Sequence, residues 1–105
     1  MTNPTNTLAT TAKTPLVYLV RSGRSNLYKV GTTVDLKRRL ENLQSGNPFP
    51  LTVIKAWPVS DGETSEGQLH DLLNRFHFNL EWFKLPKQVM TELKAIEDLD
   101  QYLAA

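Results

Sequence analysis

Two short runs of β-branched and aromatic residues, Leu16-Val17-Tyr18-Leu19-Val20 and Leu27-Tyr28-Lys29-Val30-Gly31, are separated by a segment rich in Ser, Gly and Asn. That arrangement predicts an antiparallel hairpin, around which the rest of the chain must be organised. A leading glycine suits a two-residue turn with positive φ, so the turn is expected at Gly23-Arg24. Tyr18 then lies directly across from Lys29 on one face, with Cβ atoms roughly 5 Å apart. Val17, Leu19, Tyr28 and Val30 fill the other face. A phenol beside an amine makes a proton-handling pair; the plainer alternative is a half-buried strand tyrosine beside a solvated lysine.

From Val34 the apolar period changes to that of a helix, through Leu36, Leu40 and Leu43, with Thr32 or Thr33 as the expected cap and Gly46, Pro48 and Pro50 ending it. Leu51–Val59 reads as a third strand. Ser60-Asp61-Gly62-Glu63 matches a capping box and opens a helix with Leu69, Leu72, Leu73 and Phe76 as its apolar stripe. Glu81–Leu85 is extended and closed by Pro86. One amphipathic helix is expected from about Lys87 to Leu103, with Val89, Met90, Leu93, Ile96, Leu99 and Leu103 inward. The fold class is α/β: a β-β-α-β-α core, a small mainly antiparallel sheet flanked by helices, and a C-terminal helix. Residues 1–15, rich in threonine, are expected to be a flexible arm, and residues 16–105 a single domain.

Helical geometry separates neighbouring charges. At about 100° per residue, Arg39 falls on the edge of the leucine stripe and Arg38 points outward. Arg39 is therefore a candidate phosphate ligand, or else an arginine whose stem covers the core edge. Glu66 falls on the apolar side of its helix, which is costly unless a cation meets it. His70, one turn on, is a candidate partner of Glu66 or of a substrate, and alternatively an edge-of-core histidine.

Composition removes several function classes. The 105 residues include no cysteine and only two histidines, so disulfide scaffolds, thiolate zinc sites and cysteine nucleophiles are excluded. No apolar run is long enough for a membrane helix and no secretory signal is evident, which makes the cytoplasm, of a cell or of a phage-infected host, the expected location. The formal net charge is only +1. It hides an asymmetry: residues 1–57 carry eight bases and two acids, whereas residues 58–105 carry four bases and nine acids. A basic face formed by Arg21, Arg24, Lys37, Arg38 and Lys55 is expected to meet DNA phosphates. With no aromatic base-reading surface evident, binding is expected to be weak, with a log–log salt slope near −3 to −4 for about four phosphates.

Tyr18, then Tyr28-Lys29-Val30-Gly31, then Arg39 and a helical Glu66 together resemble the GIY-YIG nuclease superfamily. The branch most resembled is that of the bacteriophage T5 open-reading-frame-172 DNA-binding domain. Leu43-Gln44-Ser45-Gly46-Asn47-Pro48, Glu66-Gly67-Gln68-Leu69-His70 and Glu81-Trp82-Phe83 extend the resemblance over Leu16 to Leu85. It implies cleavage of DNA phosphodiesters with one Mg²⁺ or Mn²⁺ ion. Carried over by position, Tyr18 is the first-motif tyrosine, Lys29 replaces the second-motif tyrosine, Arg39 is the helix arginine and Glu66 the metal ligand, with supporting roles for Tyr28 and His70. Lys29 would act as a base only with a pKa well below the ordinary value of about 10.4. Members often carry a separate DNA-targeting domain, so a partner protein for targeting is expected here. Three functions stay open: a metal-dependent endonuclease, a non-cleaving DNA-binding module, and a protein-interaction module that keeps the fold.

Overall fold

A computed structural model describes residues 13–105; most of the expected arm, residues 1–12, lies outside the described residues. The strands are β1 (Leu16–Ser22), β2 (Leu27–Thr33), β3 (Leu51–Pro58), β4 (His77–Asn79) and β5 (Trp82–Lys84). The helices are α1 (Leu36–Ser45), α2 (Gly62–Leu72), α3 (Lys87–Ala95) and α4 (Leu99–Ala104), with a 3₁₀ turn at Asn74–Phe76. The five strands form one sheet in the order β3-β1-β2-β5-β4, and every neighbouring pair is antiparallel. The α/β class and the β-β-α-β-α order are those expected.

The hairpin register differs from the expected one by two residues. Tyr18 pairs with Gly31, and Lys29 pairs with Val20. Serine chemistry lengthens the turn: Ser25 Oγ donates to the Ser22 carbonyl at 2.6 Å and accepts from the Leu27 amide at 3.1 Å. Gly23 does take positive φ (55°), and its amide donates to the Pro50 carbonyl at 2.7 Å. Because the shift is even, Tyr18 and Lys29 still share a face, but diagonally.

One face of the sheet, the back, carries Val17, Leu19, Tyr28, Val30, Trp57 and Phe83 into a core closed by Leu69 of α2, by Leu73 just after it, and by Met90, Leu93, Ile96 and Leu99. The front carries Tyr18, Val20 and Lys29 and is covered more thinly by α1, whose Leu36, Leu40 and Leu43 are only half-buried.

Several local expectations are corrected. Asp35, not Thr32 or Thr33, caps α1 by accepting from the Arg38 amide. Asp61, not Ser60, caps α2 by accepting from the Thr64 amide, which holds its carboxyl below the usual range. Glu63 is thus an exposed first-turn acid rather than a capping-box member, and the Ser60 amide instead donates to Asp100 at 2.8 Å. Leu72 leaves the apolar stripe and is 57% exposed. The expected single last helix is two: Ile96 turns extended (ψ 123°), its carbonyl accepts from Trp57 Nε1 at 2.9 Å, and Asp98 caps α4. The inward residues are nevertheless as expected, with Met90, Leu93, Ile96 and Leu99 buried. β4 was not foreseen; its residues are all exposed and leave no alternation to read.

Candidate functional site

Tyr18 is buried on the front face, and its ring crosses directly over Gly31. A Cβ at Gly31 would fall 2.3 Å from Tyr18 Oη and 2.4 Å from Cζ, so only glycine admits the ring. The phenol is thereby directed at α1, where Arg39 Nη1 lies 3.5 Å from Tyr18 Oη, at the outer limit of a hydrogen bond. Arg39 thus turns toward the sheet as its angular position predicts. Lys37, Arg38 and Arg39 are all exposed, so what sets Arg39 apart is its contact with Tyr18. Arg38 and Arg39 also share a shallow cleft with Lys13 and Asp35.

Lys29 is half-buried, and its ammonium donates to Glu81, a residue absent from the expected site. Glu81 sits in the tight turn between β4 and β5, next to Leu80, whose φ of 51° is left-handed and strained for a leucine. The Lys29 hydrogen bond holds the Glu81 carboxyl below the usual carboxylate range. The pair holds the Lys29 ammonium in place against the β4–β5 turn.

β5 pairs with β2 only over Leu27–Lys29, and beyond it α2 takes over the β2 edge. The start of α2 fits because Gly62 has no side chain: a Cβ there would meet Thr32 Oγ1 at 2.3 Å. Two turns on, His70 Nε2 contacts the Val30 carbonyl at 2.9 Å. A carbonyl only accepts, so Nε2 is the donor, and in the neutral ring that leaves the lone pair on Nδ1. This seating brings Glu66 within electrostatic range of His70, Glu81, Lys29 and Arg39. Desolvation pushes the Glu66 carboxyl above its usual range and Glu81 adds to the push, whereas His70, Lys29 and Arg39 oppose it; no hydrogen bond contributes. Glu66 is a half-buried carboxylate still short of positive charge.

The site therefore gathers Tyr18, Lys29, Arg39, Glu66, His70 and Glu81. Tyr28 belongs to the back-face core and is not among them. Of the residues expected to meet DNA, Arg24, Lys37 and Arg38 are exposed. The Arg21 guanidinium donates to the Ser25 and Arg24 carbonyls, at 2.8 and 3.0 Å. Lys55 Nζ donates to the Lys94 carbonyl at the end of α3, 3.1 Å away. Among the described residues no three His, Asp or Glu side chains form a metal cluster. Mg²⁺ needs none: it commonly keeps several waters and takes one or two carboxylates plus substrate phosphate. A partner-poor Glu66 fits that donor set.

The profile of the T5orf172 domain matches residues 16–99, from the first strand into α4. The chain belongs to the T5orf172 domain family. That family is one of DNA-binding and nuclease-associated domains. The T5orf172 match spans every element that carries a site residue, including the β4–β5 turn with Glu81. No curated protein and no solved structure matches the chain. No helix among the described residues is long and apolar enough to cross a membrane.

Proposed function

We propose that this T5orf172 domain is a divalent-metal-dependent DNA endonuclease of the GIY-YIG type. The observation that carries the reading is the half-buried Glu66 carboxylate, which has no ion pair or hydrogen bond among the described residues yet lies within electrostatic range of Lys29 and Arg39. Phosphoryl transfer asks mainly for positioned charge, and two cations and an acid within electrostatic range of one another suit a phosphodiester. Arg39, steadied by the Tyr18 phenol, offsets charge on the phosphorus oxygens. Lys29, held in place by Glu81, supplies a second positive charge. The free Nδ1 of His70 is the group suited to take a proton from the attacking water. Glu66 would hold one Mg²⁺ or Mn²⁺, which when bound supplies Lewis-acid stabilisation of phosphate charge.

Nicking of supercoiled plasmid with and without Mg²⁺ tests this. Wild type is expected to cut only with the metal, and Glu66→Gln to fall to background while still binding DNA. Arg39→Ala should lose at least ~2–3 kcal/mol of transition-state stabilisation, as for a lost oxyanion donor, and Arg38→Ala should lose affinity instead. A Glu66→Gln protein that cuts as well as wild type would overturn the reading. The Lys29–Glu81 pair favours one alternative, a module that binds DNA without cutting it, because the pair spends the positive charge of Lys29 on the protein itself. Under that alternative Glu81→Gln tightens DNA binding and no variant or metal produces nicks.

A further inference from the structure

Three aromatic side chains distant in sequence meet at the hairpin end of the front face. Phe49 precedes β3, Phe78 lies in β4 and Trp82 in β5; together they line a shallow cleft of about 230 Å³ floored by Ser22 and Leu27. The expectation that the protein lacks an aromatic surface near its basic half is thereby corrected. Phe49 and Phe78 are 60% and 52% exposed, unusual for phenylalanines that serve only the fold.

The loop under Phe49 is built to hold it. Asn47 Oδ1 accepts from the Phe49 amide at 3.0 Å, and Gln44 Nε2 donates to the Phe49 carbonyl at 2.9 Å. Gln44 Oε1 accepts from the Leu51 amide at 2.8 Å, and the Pro50 carbonyl is taken by Gly23. The backbone on both sides is pinned while the ring stands in solvent, which is preorganisation for a ligand rather than a loose loop end.

The surroundings identify the ligand. Lys84 Nζ lies 4.6 Å from the Phe78 ring centre and Lys29 Nζ 5.9 Å from that of Trp82. Trp82 is the register partner of Lys29, and Leu27 is two residues from Lys29 on the same face, about 7 Å along the strand. The cleft is thus continuous with the candidate site, within about two nucleotide steps of it. Asn47 and Asn79 also line it. A flat π surface with cations beside it and amides at its edge suits a planar heterocycle attached to a phosphate chain.

We infer that this cleft holds one unpaired nucleobase of the DNA strand whose phosphate lies at the candidate site. The inference rests on the DNA reading above and adds to it the substrate class: single-stranded, bulged or mismatched DNA rather than fully paired duplex. A base inside a duplex keeps its stacking partners and does not offer both faces to Phe49, Phe78 and Trp82.

Binding of fluorescent oligonucleotides in EDTA, where metal-dependent cleavage does not intrude, tests the inference. The probes are a fully paired duplex, the same duplex with one bulged thymine, and one with an abasic bulge, which retains the kink and charge without the base. Wild type is expected to prefer the thymine bulge over the abasic bulge by about fivefold or more. Phe49→Ala and Phe78→Ala should each abolish that preference and leave fully paired duplex binding within about twofold. Both positions are exposed, so melting temperatures should stay near wild type. Equal affinity of wild type for the two bulges overturns the inference and leaves the DNA reading standing. No binding to any probe removes both. A dimer in solution that these alanine variants dissociate would assign the patch to a second copy, which also overturns it.

Discussion

The two faces of the sheet are built to different standards. On the back, three helices close over a continuous apolar layer in which Val17, Leu19, Val30 and Leu99 are wholly buried. On the front, a single helix with no buried residue lies over Tyr18 and Val20, and the remaining surface is given to charge and exposed aromatic rings. The back supplies most of the buried core and the front carries the candidate site. A site of opposed charges needs solvent access for substrate, and a thick apolar cover would exclude it.

The largest expected effect breaks the comparison if the two faces are energetically alike. Leu69→Ala, on the back, should cost about 3 kcal/mol, within the usual range for a buried leucine. Leu40→Ala on half-buried α1 should cost about 1 kcal/mol or less. Urea unfolding measures both, and equal losses would show that α1 is as firmly seated as the back-face helices. Next in size is Gly31→Ala, which tests whether the front is tightly packed at one point. The added methyl should displace the Tyr18 ring at a cost of about 2 kcal/mol and remove its contact with Arg39. Activity should then fall further than the melting temperature alone explains.

The smallest effects distinguish the two site carboxylates by sign. Glu66, raised in the folded state, makes the fold less stable as pH climbs from its unfolded pKa through its folded one. Glu66→Gln should therefore stabilise the protein by a few tenths of a kcal/mol at neutral pH, roughly, after solvent screening, and have no effect near pH 3. Glu81, lowered in the folded state, contributes stability above its unfolded pKa that is lost as pH falls through the folded one. Glu81→Gln should thus destabilise by a similar small amount at neutral pH and not in acid. Thermal melts across the acid range read both, and the same sign for the two variants would refute the assignment of Glu66 as the carboxylate short of a cation. Added Mg²⁺ should raise the melting temperature of wild type more than that of Glu66→Gln.

Local physics made much of this legible in sequence. Alternation placed Val17, Leu19, Tyr28 and Val30 on one face, and helical spacing aimed the guanidinium of Arg39, though exposed, at Tyr18. Competition between near-equal partners was not legible. Ser25 lengthens a turn that glycine alone would have made shorter, and Asp61 displaces Ser60 as cap. Trp57 takes the carbonyl of Ile96 and so divides what periodicity reads as one helix. Glu81 was visible only as part of a motif, because its meeting with Lys29 depends on β5 pairing with a strand far away in sequence. Phe49, Phe78 and Trp82 come together for the same reason, through pairings that no local pattern reports.

Asp100, on α4, accepts from the Ser60 amide at 2.8 Å and from Ser65 Oγ at 3.2 Å, bracing the start of the helix that bears Glu66. During translation at about 5–20 residues per second, the stretch from Glu66 to Asp100 takes roughly two to seven seconds to appear. Over that interval the residues of the hairpin and α1, Arg39 among them, have been synthesised, but the helix that bears Glu66 lacks its brace. A nascent chain thus carries the cations Lys29 and Arg39 before the contacts that fix the start of the Glu66 helix can form.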